Sequence, residues 1–206
     1  MKTWLYNPFE YIAGYRALFI GLAVMALSTL IGVFSNTHFD GSIDVHIGMH
    51  GPVSLFFVET FVSWFVTAVL FYLAGIMLSG SHIRFIDVIG TMAFARIPLI
   101  LSVFVGFFPV MQQISRLDPS QPGEAIQQLI KILPVLMLVS APLVASMIWT
   151  ITLMFNAYKV SCNLKGSRLI ASFIITLILS EAATKLILFY GVYKLYNIPI
   201  PVPGVK

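Results

Sequence analysis

Long apolar stretches alternate with short polar segments along the chain, and they fall at residues 17–34, 53–78, 86–110, 133–155 and 169–192. Each stretch reaches the about 18 residues that a transmembrane helix requires. No internal repeat or change in composition divides the chain into separate units. The pattern therefore predicts an all-α membrane protein whose single domain, residues 1–206, is a bundle of five transmembrane helices.

The segment before the first span carries the signals of a helix start. Asn7 is the predicted N-cap, Pro8 takes the first helical position, and Glu10 reaches back as in a capping box. No small-residue cleavage site follows the first apolar stretch, so we expect this segment to stay in the mature protein. It is predicted to lie at the membrane interface and to lead directly into the first span.

Two connecting segments predict local structure outside the spans. In the first loop, Asp40-Gly41 is typical of a two-residue hairpin turn, and alternating apolar and polar residues follow it. We therefore predict a small β-hairpin on the outer surface, in which His38 lies opposite Ile43. Residues 124–133 show the pattern of a short amphipathic helix that lies near the membrane before the fourth span.

Composition agrees with a membrane location, since the chain is 59% hydrophobic and 10% charged, with a mean hydropathy of +0.95. Soluble domains contain about 25% charged residues, so a large soluble catalytic domain is excluded. The net charge of +4 at this hydropathy favours lipid headgroups over nucleic acid as the electrostatic partner. The single cysteine, Cys162, has no disulfide partner, and we expect a free reduced thiol.

Positive charge around the spans predicts the orientation. If the N-terminus lies inside, the inner segments hold six Lys and Arg residues (Lys2, Arg16, Arg84, Lys159, Lys165 and Arg168) and the outer segments four (Arg116, Lys131, Lys194 and Lys206). The loop of residues 35–52 contains no Lys or Arg and carries Asp40 and Asp44. Because basic residues accumulate on the cytoplasmic side, we predict that the N-terminus is inside and the C-terminus outside.

Four charged residues lie within the predicted spans: Glu59, Arg96, Glu181 and Lys185. A charge at the bilayer centre costs at least about 2.5–3.5 kcal/mol, so we expect each to face the bundle interior and to have a partner. Arg96 is predicted to pair with Glu181 or Glu59, and Glu181 with Lys185 one helical turn away. The set is either a salt-bridge network that fixes helix assembly or a polar path for a proton, an ion or a solute.

The first loop also contains potential metal ligands. Five His and Asp residues lie between His38 and His50, but the predicted hairpin would let only Asp44, His46 and His50 converge. The alternatives are a polar hairpin in water or a pH sensor built from the histidines. We predict no cofactor, and since no HExxH, P-loop or GxSxG motif is present, we do not expect an enzyme.

The third span contains the most specific local pattern. Asp87 stands at its start, where an acidic residue complements the helix N-terminus. Gly90, Phe94 and Pro98 follow as Gly-x-x-x-aromatic-x-x-x-Pro. A small residue such as Gly90 lets a neighbouring helix approach closely, so these positions are predicted to form a packing core.

Over about residues 5–193 the chain resembles the bacterial branch of the Yip (Ypt/Rab-interacting protein) domain family. The resemblance rests on this third-span pattern, on the Asn7-Pro8-Phe9 start and on the five spans. The resemblance implies a five-span fold without a settled biochemical activity. Eukaryotic members of the family act in vesicle traffic at the Golgi and endoplasmic reticulum and bind Rab GTPases through a long cytosolic N-terminal region. Here only residues 1–16 precede the first span, so we do not carry Rab-type GTPase binding over.

We therefore predict a non-enzymatic multi-pass protein of the bacterial inner membrane. It would organise membrane partners or lipids through intramembrane contacts, and its partners would be the bilayer, other membrane proteins or a second copy of the chain. The alternative is a small transporter or channel for a proton, an ion or a solute that uses the intramembrane charges.

Overall fold

The computed structural model describes residues 2–115, 117 and 120–198. The described residues are mostly helical and include one pair of short strands. In chain order the elements are α1 (Lys2–Tyr6), a 3-10 turn (Pro8–Glu10), α2 (Gly14–Ser35), β1 (Thr37–His38), β2 (His46–Ile47), α3 (Val53–Leu78), α4 (Phe85–Ala95), a 3-10 turn (Ile97–Leu99), α5 (Ile100–Val105), α6 (Pro109–Ser115), α7 (Pro122–Ser161), α8 (Gly166–Ile187) and a π-helical turn (Leu188–Tyr193).

The number of membrane-spanning helices agrees with the prediction. Among the described residues, five helical segments are long and apolar enough to cross a membrane: Gly14–Ser35, Val53–Leu78, Phe85–Val105, Pro122–Ser161 and Gly166–Tyr193. The third ends earlier than predicted. The fourth begins earlier, because residues 124–133 form no separate amphipathic helix and instead belong to the continuous helix α7.

The third span is the most buried of the five, and it forms the centre of the bundle. Helix α4 lies against α2 at glycines, since a side chain at Gly90 would meet the carbonyl oxygen of Gly14, and one at Gly21 would meet the backbone at Ala93. After Ala95 the α-helix gives way to a 3-10 turn that contains Pro98, because proline supplies no backbone N–H and crowds the preceding turn. This break turns Arg96 into the core.

Aromatic packing fills the end of the bundle where α7 and α8 meet. Phe71 from α3 contacts Tyr158 and Phe173 with ring centroids 5.0 and 5.5 Å apart. Cys162 is buried beside them and is a free thiol. Burial raises the pKa of the Cys162 thiol to about 12.

The N-terminal segment lies along α7, where the Trp149 indole donates to the Leu5 carbonyl at 2.7 Å and the Asn156 amide donates to Tyr6 at 2.8 Å. The predicted helix start is confirmed in part, since Asn7 is the N-cap of a helical turn that begins at Pro8. This turn is a short 3-10 turn and not the start of the first span, which begins at Gly14. The predicted capping box is wrong, because the Asn7 side chain caps no backbone amide and instead donates to the Glu10 carboxylate at 3.2 Å.

The loop between α2 and α3, residues 36–52, enters the bundle instead of lying on its outer surface. Asn36 ends α2 in the left-handed conformation, and its carbonyl accepts the Gly48 amide at 2.9 Å. The two-residue strands pair antiparallel with His38 opposite His46. The predicted register, with His38 opposite Ile43 and a turn at Asp40-Gly41, is therefore wrong, and residues 39–45 form one long connection.

Candidate functional site

The tip of the α2–α3 loop lies deep between the helices. Thr67 on α3 donates its hydroxyl to Ser42 at 2.7 Å, and Thr67 is about 21 Å along α3 from its first residue at 1.5 Å per residue. Non-helical backbone at such a depth is stable only where the protein itself satisfies its polar groups. The charged residues of the spans perform this task.

Arg96 binds the carbonyl side of the loop tip. Its guanidinium donates to the Ser42 carbonyl at 2.8 Å, to the Gly41 carbonyl at 3.1 Å and to the Ser63 hydroxyl at 3.1 Å. The side chain is buried, and within the described part of the chain no carboxylate lies within ion-pair distance of it. The predicted ion pair of Arg96 with Glu181 or Glu59 is wrong, because backbone carbonyls take its donors.

Glu181 binds the amide side of the same turn. Its Oε2 accepts the Ser42 amide at 2.7 Å and the Ile43 amide at 3.4 Å. The Ser42 hydroxyl donates to Ser180 at 2.9 Å. A Cβ atom at Gly41 would crowd the Glu181 carboxylate and the Asp44 side chain, so a larger residue would require these side chains to shift where the loop meets α8.

Lys185 neutralises the acidic residues of the loop. Its Nζ lies 2.9 Å from Oδ2 of Asp40 and 2.7 Å from Oδ2 of Asp44. The predicted pair of Lys185 with Glu181 along the helix is therefore wrong. The loop carboxylates compete successfully because they approach Lys185 directly, whereas Glu181 is engaged by backbone amides.

His38 and Glu59 form a pair that is fully buried, with Nδ1 and Oε2 2.6 Å apart. The other ring nitrogen lies 2.8 Å from the Met49 carbonyl. Because a carbonyl only accepts, that nitrogen carries a hydrogen and donates it to Met49. Glu59 Oε1 has no hydrogen-bond partner among the described residues.

The metal candidates of the first loop do not converge. Asp44 is engaged by Lys185, and His50 Nδ1 contacts the Asn36 side chain at 2.9 Å. His46 is exposed on β2. In the part of the chain that the structure describes, no group of three or more His, Cys, Asp or Glu side chains could hold a metal ion.

The third-span residues occupy the interface of α4 with the N-terminal part of the chain. Asp87 lies in the first turn of α4 and pairs with Arg84 at 3.2 Å. Phe94 packs edge-on against Phe9, with ring centroids 5.9 Å apart. Gly90 allows the close approach of α4 to α2. Pro98 lies in the 3-10 turn that follows Arg96.

Sequence reasoning missed several residues that hold the loop: His38, Asp40, Ser42, Ser63, Thr67 and Ser180. The sequence contained one signal for a polar contact at this level, namely pairs of hydroxyl residues four positions apart within the spans. These pairs are Ser63 with Thr67 and Ser180 with Thr184. Each pair projects from one face of its helix, and a polar face inside a membrane bundle needs a polar partner.

Comparison with known proteins gives one match. The family model of the Yip1 domain matches residues 9–183. No curated protein and no solved structure matches the chain. The matched range includes the α2–α3 loop, Arg96 and Glu181, and it ends before Lys185.

Proposed function

Because the chain belongs to the Yip1 domain family, we propose that this multi-pass membrane protein is non-enzymatic and organises membrane partners or lipids through intramembrane contacts. We place it in the bacterial inner membrane with the N-terminus inside and the C-terminus outside. The orientation is supported by Arg84, Lys159, Lys165 and Arg168, which lie near the end of the bundle opposite the α2–α3 loop.

The observation that carries the proposal is an uncovered apolar face on the first half of α7, whose other side packs against Val105, Val110 and Met111. This helix runs from Pro122 to Ser161, about 60 Å at 1.5 Å per residue. Its buried residues all lie at or after Ser146, whereas Ile130 and Leu138 in the first half are 63% and 76% exposed. An apolar helix face that its own bundle leaves uncovered is suited to contact lipid or another membrane helix.

The charged residues support a closed scaffold better than the alternative, a small transporter or channel. Arg96, Glu181 and Lys185 are all engaged by the α2–α3 loop. The cavity beside Arg96 has a volume of about 10 Å³, which is room for about one water. A pH-dependent flux in proteoliposomes that is lost in folded Glu181→Gln would establish the transport alternative instead.

Photo-crosslinking in native membranes tests the proposed contact face. A photoreactive side chain is placed at Leu138, and a matched control carries it at Ile178 on α8, which is 63% exposed. We expect a discrete protein adduct from position 138, either at twice the mass of the chain or at that of a different membrane protein, and lipid adducts alone from position 178. Lipid adducts alone at both positions would contradict a protein-binding face on α7.

A further inference from the structure

A groove lies between α6 and the first half of α7. It consists of two adjoining cavities of about 320 and 290 Å³. Gln113, Lys131 and Ile132 line both of them. Volumes of this size are typical of small-molecule sites.

The groove is apolar along one part and polar along the other. Phe108, Val135 and Val139 line the first cavity, and Gln128 joins Gln113 and Lys131 around the second. On α7 the polar positions precede the apolar ones, so polarity falls along the helix toward its middle. This gradient matches a molecule with a polar head and a hydrocarbon tail.

The position of Lys131 along α7 fits the level of lipid headgroups. At 1.5 Å per residue Lys131 is about 42 Å from Lys159 near the other end of the helix. A bilayer that includes its headgroup regions is about 40–45 Å thick. When Lys159 lies at one headgroup level, Lys131 therefore lies at the other.

Within the described part of the chain, the polar side chains of the groove have no partner. Lys131 has no carboxylate within ion-pair distance among the described residues, whereas Lys185 has two. Gln113 and Gln128 have no hydrogen-bond partner within the same described part of the chain. As far as the described residues go, the groove therefore presents one positive charge without an ion-pair partner and two amide groups without a hydrogen-bond partner beside an apolar channel.

We propose that this groove binds an anionic phospholipid, with the phosphate against Lys131, Gln113 and Gln128 and an acyl chain against Phe108 and Val135. A lysine at headgroup level attracts anionic lipid, and the amides donate hydrogen bonds to phosphate oxygens. The inference deepens the proposed function by naming a lipid class. It fails separately from it, because the crosslinks at Leu138 report protein contact and do not depend on this groove.

Native mass spectrometry of the purified full-length protein tests the proposal, with phosphatidylglycerol and phosphatidylcholine of identical acyl chains as probes. Wild type should retain phosphatidylglycerol preferentially. Lys131→Gln should lose most of this preference, about tenfold, and Val135→Trp should reduce retention of both lipids by filling the groove. Lys194→Gln, which removes a lysine elsewhere, should bind as wild type does.

Three results would overturn the proposal: equal retention of the two lipids by wild type, an undiminished preference in Lys131→Gln, or an equal loss of preference in Lys194→Gln. Inorganic phosphate added as a competitor distinguishes a free-anion site from a lipid site. Displacement of the lipid by phosphate alone would contradict the lipid assignment. Equal melting temperatures of the variants establish that each is folded.

Discussion

Replacing Arg96 with methionine removes the guanidinium donors that bind the Gly41 and Ser42 carbonyls at the tip of the α2–α3 loop. The carbonyls of Gly41 and Ser42 then lack the partner that they have at 3.1 and 2.8 Å. Each buried polar group left unsatisfied costs about 1–3 kcal/mol, so the free energy of unfolding should fall by about 2–6 kcal/mol. For a chain of this length, at about 2–4 °C per kcal/mol, that corresponds to a melting temperature lower by about 4–24 °C.

Glu181→Gln should cost less, because the amide oxygen still accepts from the loop. Charge-assisted hydrogen bonds are roughly twice as strong as neutral ones, so we expect a loss of about 1–2 kcal/mol. The double variant distinguishes this arrangement from a direct ion pair. Since Arg96 and Glu181 bind different backbone atoms of one loop, the double variant should be no more stable than Arg96→Met alone.

Thermal unfolding in detergent, followed by circular dichroism, measures the three variants. Arg84→Met is the matched control, because the Arg84 side chain is 63% exposed and pairs only at the surface with Asp87; it should shift the melting temperature by about 2 °C or less. An Arg96→Met protein with the melting temperature of the wild type would show that the hydrogen bonds from Arg96 to the Gly41 and Ser42 carbonyls do not stabilise the fold. Recovery of stability in the double variant would show that Arg96 and Glu181 pair with each other.

Three further outcomes are expected. Gly90→Ala should lower the melting temperature, because the added Cβ collides with the backbone of α2. Gly191 faces open space, so Gly191→Ala should leave the melting temperature nearly unchanged. Equal decreases in the two variants would argue against the close contact of α4 with α2. The pKa of the Cys162 thiol is raised to about 12, so little reactive thiolate forms from pH 7 to 9. Cys162 should therefore react slowly with maleimide in the folded protein and rapidly after unfolding in SDS. Rapid reaction in the folded protein would place Cys162 at the surface. Lys185→Met leaves two loop carboxylates without a cation, so its melting temperature should fall, whereas Lys185→Arg, which keeps the positive charge, should lose less. Equal melting temperatures of Lys185→Met and wild type would contradict this role.

The helices could be predicted from the sequence because length and apolarity suffice to identify a span. Their boundaries were less predictable, and α7 shows why. Residues 124–133 were expected to form a surface helix that is separate from the fourth span, yet α7 includes them and continues through Pro134 and Pro142. A proline in a long membrane helix is tolerated when the freed carbonyl finds another partner.

The inserted loop could not be predicted from the charges alone. Sequence reasoning pairs charged side chains with one another, whereas Arg96 and Glu181 bind backbone carbonyls and amides, which every residue carries. The hairpin prediction failed for a related reason. Asp40-Gly41 is typical of a solvent-exposed turn, and here Asp40 instead contacts Lys185 inside the bundle.

Hydrogen–deuterium exchange of the native protein tests the inserted loop most directly. The Ser42 and Ile43 amides are bonded to Glu181 inside the bundle, so a peptide over residues 39–45 should exchange as slowly as the transmembrane helices. The same peptide should exchange faster in Glu181→Gln. Exchange of residues 39–45 within seconds in the wild-type protein would contradict the account, because a loop on the surface has unprotected amides.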